Sequence, residues 1–235
     1  ICGRKIALNP EDVKRFANKS MTQPIDEMSA KKLNGYQEII ADRSKRLLIY
    51  QDSAYADLYI QMMHKVIKKD NFLKAQGELV TAAAKGYFKL LAYKDEYEVA
   101  RLFSAPEFTE NLEAQFEGSY KLHFHLGVLP FAKMIKGKER IEKREVGPWI
   151  LNAMKILQGF RWARGSWLDP FRNTPERVFA LDLIATYEED LQLILEATNF
   201  SSIKIAVSLA NLPEKIRGFG HVRTRHADVV GIERI

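Results

Sequence analysis

The strongest candidate for binding chemistry is a basic segment near the end of the chain, at residues 215–226. Six of its side chains are cationic or can become so, and Gly218 and Gly220 free the backbone between them. Arginine and lysine side chains and free backbone N–H groups bind phosphates and carboxylates. The segment could therefore hold an anion or dock an acidic protein partner, although a solvated chain end remains an open alternative. The candidate residues are Lys215, Arg217, His221, Arg223, Arg225 and His226.

A second arrangement that could do chemistry is the pair His123 and His125. Leu122 and Phe124 alternate with them, which is typical of a half-buried strand, so both imidazoles lie on one face and could contact a metal. No third ligand stands nearby, and we favour two solvent-facing histidines. Cys2 is the single cysteine, which excludes a disulfide framework and a four-cysteine zinc site. We expect no catalytic, cofactor-binding or metal-binding residue in this segment.

The motifs of several enzyme classes are missing from the sequence. It has no glycine-rich dinucleotide or P-loop fingerprint, no Gly-x-Ser-x-Gly, no His-Glu-x-x-His and no Gly-Asp-Gly of the thiamine diphosphate type. Its 235 residues are 46% hydrophobic and 28% charged, which is ordinary for a globular domain. No apolar run approaches the roughly 18 residues that would span a bilayer. We expect a cytoplasmic protein without a membrane segment.

The net charge of +6 is concentrated in residues 133–144 and 215–225. Basicity alone mostly affects solubility and encounter rates. Nucleic-acid binding would favour aromatic residues interleaved with the cations, and in the second segment only Phe219 fits that pattern. We therefore do not expect nucleic acid as the partner.

The elements that position these residues are predicted to be mainly helical. Apolar residues recur at helical spacing over residues 36–69, as one helix or as two with a kink near Asp52. Further helices begin at Pro106, Pro148 and Pro175. The fold class we predict is mainly α, a helical domain of about eight to ten helices with one small β-hairpin at about residues 119–146.

The segment at residues 86–103 combines an apolar helix face with a dense cluster of charges. Two helices are predicted to meet near Asp95, which can cap the second one, while Glu98 and Arg101 form an i,i+3 pair. This arrangement predicts a rigid corner that serves stability rather than catalysis.

The chain resembles the C-terminal portion of indolepyruvate ferredoxin oxidoreductases, of the long single-polypeptide bacterial form in the 2-oxoacid:ferredoxin oxidoreductase superfamily. The matching stretches occur in order along most of the chain. They are YQDSAY at 50–55, KLLAYKDEYEVAR at 89–101, FEGSYKLHFHL at 116–126, GPW at 147–149, LDPF at 168–171 and LPEKIRGFGHV at 212–222.

The resemblance implies a piece of a larger enzyme. Residues 1–20 would be the tail of a preceding γ-subunit-like domain, and residues 21–235 a helical C-terminal extension with an accessory role. The parent would oxidatively decarboxylate aryl 2-oxoacids to acyl-CoA, using thiamine diphosphate, Mg and [4Fe–4S] clusters, and pass electrons to ferredoxin. Its partners would be the other domains of the parent chain, ferredoxin, CoA and a second copy in a homo-oligomer. The rival hypothesis is a freestanding basic helical module that binds nucleic acid or an acidic protein.

Overall fold

The computed structural model describes residues 35–116, 118, 121–126, 133–134, 141–142, 144–218 and 221–234. The predicted boundary between residues 1–20 and 21–235 lies outside the described residues, and so do residues 135–140 of the predicted hairpin.

Nine α-helices account for most of the described residues, so the prediction of a mainly α domain is confirmed. Two short 3₁₀ turns, Arg161–Ala163 and Leu212–Lys215, accompany them. The helices are α1 (Gly35–Tyr50), α2 (Ser53–Leu73), α3 (Glu78–Leu91), α4 (Glu96–Ser104), α5 (Pro106–Gln115), α6 (Ile150–Gly159), α7 (Pro175–Ala197), α8 (Ile203–Ala210) and α9 (His221–Arg234).

The centre of the larger core is α3, which packs against α1, α2, α7, α8 and the second 3₁₀ turn. A Cβ atom added to Gly86 would lie 2.7 Å from the Ala210 carbonyl oxygen and 2.8 Å from the Tyr187 hydroxyl. Both distances are shorter than real Cβ contacts, so glycine is required for α3 to approach α8 this closely. The ring of Tyr87 stacks on that of Tyr59, with 5.9 Å between the centroids.

The break between α1 and α2 falls where the sequence predicted a kink. Asp52 has extended backbone dihedrals and its carboxylate accepts a hydrogen bond from the Tyr55 N–H at 2.8 Å. An N-terminal cap of this kind ends the preceding helix and starts the next. The predicted ambiguity is therefore resolved in favour of two helices.

The small β structure packs on a second, smaller core formed by α4 and α6. Strand β1 (Phe124–Leu126) pairs antiparallel with β4 (Arg144–Val146), and Phe124 and Val146 are partners in the register and buried. Inside that pair, β2 (Lys133–Met134) pairs with β3 (Ile141–Glu142). The predicted hairpin is confirmed, and the described residues form two short ladders within it.

The end of the chain differs from the prediction. We expected a flexible, glycine-containing tail there, whereas residues 221–234 form α9. This helix contacts the second 3₁₀ turn, and Ala227 packs against the larger core. Tertiary packing thus stabilises a helix whose sequence has little apolar periodicity.

Candidate functional site

The densest group of charged side chains lies in the interior, where α4 begins. Asp95 caps α4, its Oδ1 accepting from the Glu98 N–H at 2.8 Å. Arg164 follows the first 3₁₀ turn and donates to both oxygens of Asp95, from Nε at 2.7 Å and from an Nη at 2.9 Å. Both side chains are at least nine-tenths buried. The pair is therefore a bidentate, desolvated ion pair, the strongest kind of charge-assisted hydrogen bond.

Arg177, on α7, extends this group to three carboxylates. One Nη lies 2.6 Å from Asp169 Oδ2, and the other lies 2.9 Å from Glu96 Oε2 and 3.1 Å from Asp95 Oδ2. Its Nε is buried and has no hydrogen-bond partner among the described residues. Two arginines and three carboxylates thus share one closed network, and each charge has an opposite neighbour.

Asp169 organises the turn before α7. Its carboxylate accepts from the Gly165 N–H at 2.8 Å, the Phe171 N–H at 3.0 Å and the Tyr97 hydroxyl at 3.0 Å. Large apolar residues flank Asp169 in this turn. Trp167 is nevertheless 83% exposed, and the buried carboxylate is the anchor. Without this carboxylate, the part-buried Gly165 and Phe171 N–H groups and the buried Tyr97 hydroxyl would lose their acceptor, which explains why an acid occupies this position.

Tyrosine rings line the arginines. The guanidinium of Arg164 lies 3.8 Å from the ring centroid of Tyr50, and that of Arg177 lies 5.6 Å from the centroid of Tyr97. Arg164 also donates to the Tyr50 carbonyl oxygen at 2.8 Å. Burial raises the pKa of both tyrosine hydroxyls, which keeps them protonated as donors. Apart from Arg177 Nε, the polar groups of the network bind one another or nearby backbone groups, and this geometry supports a structural role.

The basic residues that the sequence singled out at positions 215–226 lie in two different environments. Lys215, Arg217 and Arg225 are exposed, whereas Arg223 on α9 is half-buried. His226 Nδ1 lies 3.3 Å from the Lys215 carbonyl oxygen, and the side chain of His221 lies outside the described part of the chain. Of the six residues, Lys215 ends the second 3₁₀ turn, Arg217 lies in the connection that follows it, and the other four belong to α9.

Next to this segment lies an open cleft that sequence reasoning missed. The described residues that line it are Arg43, Lys85, Phe88, Lys89, Ala92 and Glu214. Burial lowers the pKa of the Lys89 ammonium; Glu214 opposes the shift, and the positive charges of Arg217 and Arg223 add to it. Those two arginines therefore lie within electrostatic reach of the cleft.

His123 and His125 are both exposed on β1 and the residue before it, as the solvent-facing reading predicted. The Nδ1 atom of His123 is paired with a carboxylate oxygen of Glu145. In the described part of the chain, no three His, Cys, Asp or Glu side chains are grouped so that they could hold a metal ion. Across the same residues, no helix is long and apolar enough to cross a membrane.

No pattern in the sequence analysis identified Arg164 or Arg177, and Asp169 was named only as part of the LDPF stretch at 168–171. One signal was present for Arg177, because it falls on the apolar stripe of α7 with Ala180 and Ile184. A charge on such a stripe indicates a buried partner. Arg164 has no comparable signal, since its partner Asp95 is 69 residues away in the sequence.

Comparison with known families places the chain in one of them. The model of a family of unknown function, DUF6537, matches residues 36–234, so the chain belongs to that family. Searches of curated proteins and of solved structures found no match.

Proposed function

We propose that this chain is an accessory, structural domain of an indolepyruvate-type 2-oxoacid:ferredoxin oxidoreductase. The parent enzyme would supply thiamine diphosphate, Mg and [4Fe–4S] clusters from its other domains and would work in the cytoplasm, as a homo-oligomer with ferredoxin and CoA as partners. The helical domain would hold its neighbours in place and would not itself touch the 2-oxoacid.

One observation supports this proposal above the others. The stretches that carry the resemblance also supply the interior ion network: Gln51 and Tyr50 come from the first, Asp95 and Tyr97 from the second, and Asp169 from the fifth. The most distinctive residues of the resemblance are thus engaged in holding helices together. Residues kept for catalysis would instead face a cleft.

The first test is the reading frame that contains this chain. We expect a thiamine-type Gly-Asp-Gly and clustered cysteines upstream of residue 1. The protein from that frame should reduce ferredoxin in the presence of indolepyruvate and CoA. A frame that begins at residue 1, or a longer protein without this activity, would overturn the proposal.

The second test separates an accessory role from the rival basic module. The 235-residue chain should give no salt-sensitive shift with DNA or RNA at low ionic strength. Tight binding that weakens steeply with salt would favour the rival. Within an active parent enzyme, charge reversal at Arg217 and Arg223 tests docking directly. Unchanged kinetics with ferredoxin and CoA would exclude the basic segment as their docking surface.

A further inference from the structure

The cleft between α1, α3 and the second 3₁₀ turn carries an excess of positive charge. Arg43 comes from α1, Lys85 and Lys89 come from α3, and Arg217 and Arg223 lie within electrostatic reach of Lys89. The acids nearby are Glu214, whose Oε1 is 3.9 Å from Lys89 Nζ, and Asp42, whose Oδ2 is 3.2 Å from an Arg43 nitrogen. Asp42 is also shared with Arg46, at 2.9 Å. The cations therefore outnumber the carboxylates that neutralise them.

Several of these cations are also partly removed from water. Arg43 Nε is buried without a hydrogen-bond partner among the described residues, and the guanidinium lies 4.6 Å from the ring centroid of Phe88. Burial lowers the pKa of Arg223, and the side chain of Lys89 is two-thirds covered. Lys89 Nζ also has a neutral partner, the Glu214 carbonyl oxygen at 2.8 Å. A partly desolvated surplus of cations over carboxylates is costly, unless a bound anion offsets the cost.

We propose that this cleft binds the phosphate or diphosphate group of a small molecule. A multiply charged anion matches the surplus of cations better than a single carboxylate does, and Arg43, whose side chain is 30% exposed, can donate from its Nη groups to phosphate oxygens. The cleft has a volume of about 440 Å³, within the range of small-molecule sites. Phe88 and Ala92 give it an apolar wall for the rest of the ligand. This inference does not rest on the proposed oxidoreductase.

The test uses inorganic pyrophosphate and the 235-residue chain, with binding measured by isothermal titration calorimetry at low and at physiological salt. In Arg43→Gln/Lys85→Gln we expect the affinity for pyrophosphate to fall at least about tenfold, because two charge-assisted contacts are lost. The matched control is Lys65→Gln/Lys68→Gln, which removes the same charge from exposed positions on α2 and should bind like the wild type. Arg217 is exposed, so Arg217→Gln should not disturb folding. This variant should also weaken pyrophosphate binding, and it keeps the test informative if the double variant does not fold.

Three outcomes would overturn the inference. They are no pyrophosphate binding by the wild type, equal weakening in the cleft and control variants, and binding of poly-glutamate without binding of pyrophosphate. The last result would assign the surface to an acidic protein partner.

Discussion

The guanidinium of Arg164 is bound to both carboxylate oxygens of Asp95, at 2.7 Å and 2.9 Å, inside the protein. The same carboxylate caps α4, so one side chain fixes both a helix start and the position of a distant turn. Arg177, in the first turn of α7, then connects this pair to Asp169 in the turn before that helix. The interior network therefore ties together parts of the chain that no local interaction could join.

Replacing Arg164 with methionine should cost about 3–5 kcal/mol of unfolding free energy, because Asp95 would keep a buried charge with fewer partners. Urea denaturation followed by circular dichroism measures this loss. Arg172→Met is the control, since Arg172 is exposed in the same region and its loss should stay within about 0.5 kcal/mol. A loss below about 1 kcal/mol for Arg164→Met would show that the ion pair is not the stabilising contact we describe.

Arg101→Gln should be much less destabilising than Asp95→Asn, although the sequence analysis placed both residues in the same stabilising corner. The pair of Arg101 with Glu98, at 2.7 Å, is partly exposed, with 27% of the arginine side chain accessible. Partly exposed pairs contribute about 0–1 kcal/mol. Asp95 is buried and binds two arginines. Equal melting temperatures for the two variants would contradict this ranking.

Asp70→Ala should destabilise the protein by about 2 kcal/mol or more, because its buried carboxylate accepts from three backbone N–H groups. These belong to Gly77, Leu79 and Val80, at 2.8, 3.1 and 3.3 Å, where α3 begins. Gly77 cannot provide a side-chain cap itself. Chemical denaturation gives the magnitude, and Asp57→Ala, an exposed acid on the same helix, should have little effect.

Gly86→Ala should be strongly destabilising, since the added methyl group would overlap a backbone carbonyl oxygen that cannot move freely. We expect a loss of about 2 kcal/mol or more and a lower melting temperature. Gly231→Ala is the control, and it should increase stability. Nothing lies within 4 Å of its added Cβ atom, and alanine favours α9 by up to about 1 kcal/mol. The two substitutions should therefore change stability in opposite directions.

The protein should lose stability as the pH rises above 10. Burial raises the pKa of seven tyrosine hydroxyls in the folded chain above the value of 10.0 for a free tyrosine. Above pH 10 the unfolded chain releases tyrosine protons that the folded chain retains. Until the tyrosine also ionises in the folded chain, each one lowers the free energy of unfolding by up to about 1.4 kcal/mol per pH unit. The seven are Tyr50, Tyr55, Tyr59, Tyr87, Tyr93, Tyr97 and Tyr187.

Phenolate absorbance at 295 nm, recorded together with circular dichroism, measures this effect. We expect most of the absorbance to appear in step with unfolding. Tyr187→Phe should extend the folded range upward in pH, although loss of its 2.6 Å hydrogen bond to the Ala210 carbonyl oxygen lowers stability at neutral pH. Gradual phenolate formation in a protein that stays folded would contradict the prediction.

Local sequence determined most of the secondary structure. The capping geometry of Asp52 and Asp95, and the prolines at the first turns of α5 and α7, occur where the residue types require them. Alternation of apolar and polar residues likewise predicted a half-buried strand at β1, within the hairpin expected at about residues 119–146. These features depend on neighbours within a few residues, and sequence patterns record such neighbours directly.

Only the tertiary structure decided which charges are internal and which surround a cleft. The sequence shows Asp95, Arg164 and Arg177 as ordinary charged residues, and their pairing depends on helices that meet across 69 and more residues. In the same way, Arg43 and Lys89 line one cleft with Glu214 only after α1, α3 and the second 3₁₀ turn have packed together. Burial and long-range proximity are properties of the packed chain, and periodicity along the sequence does not encode them.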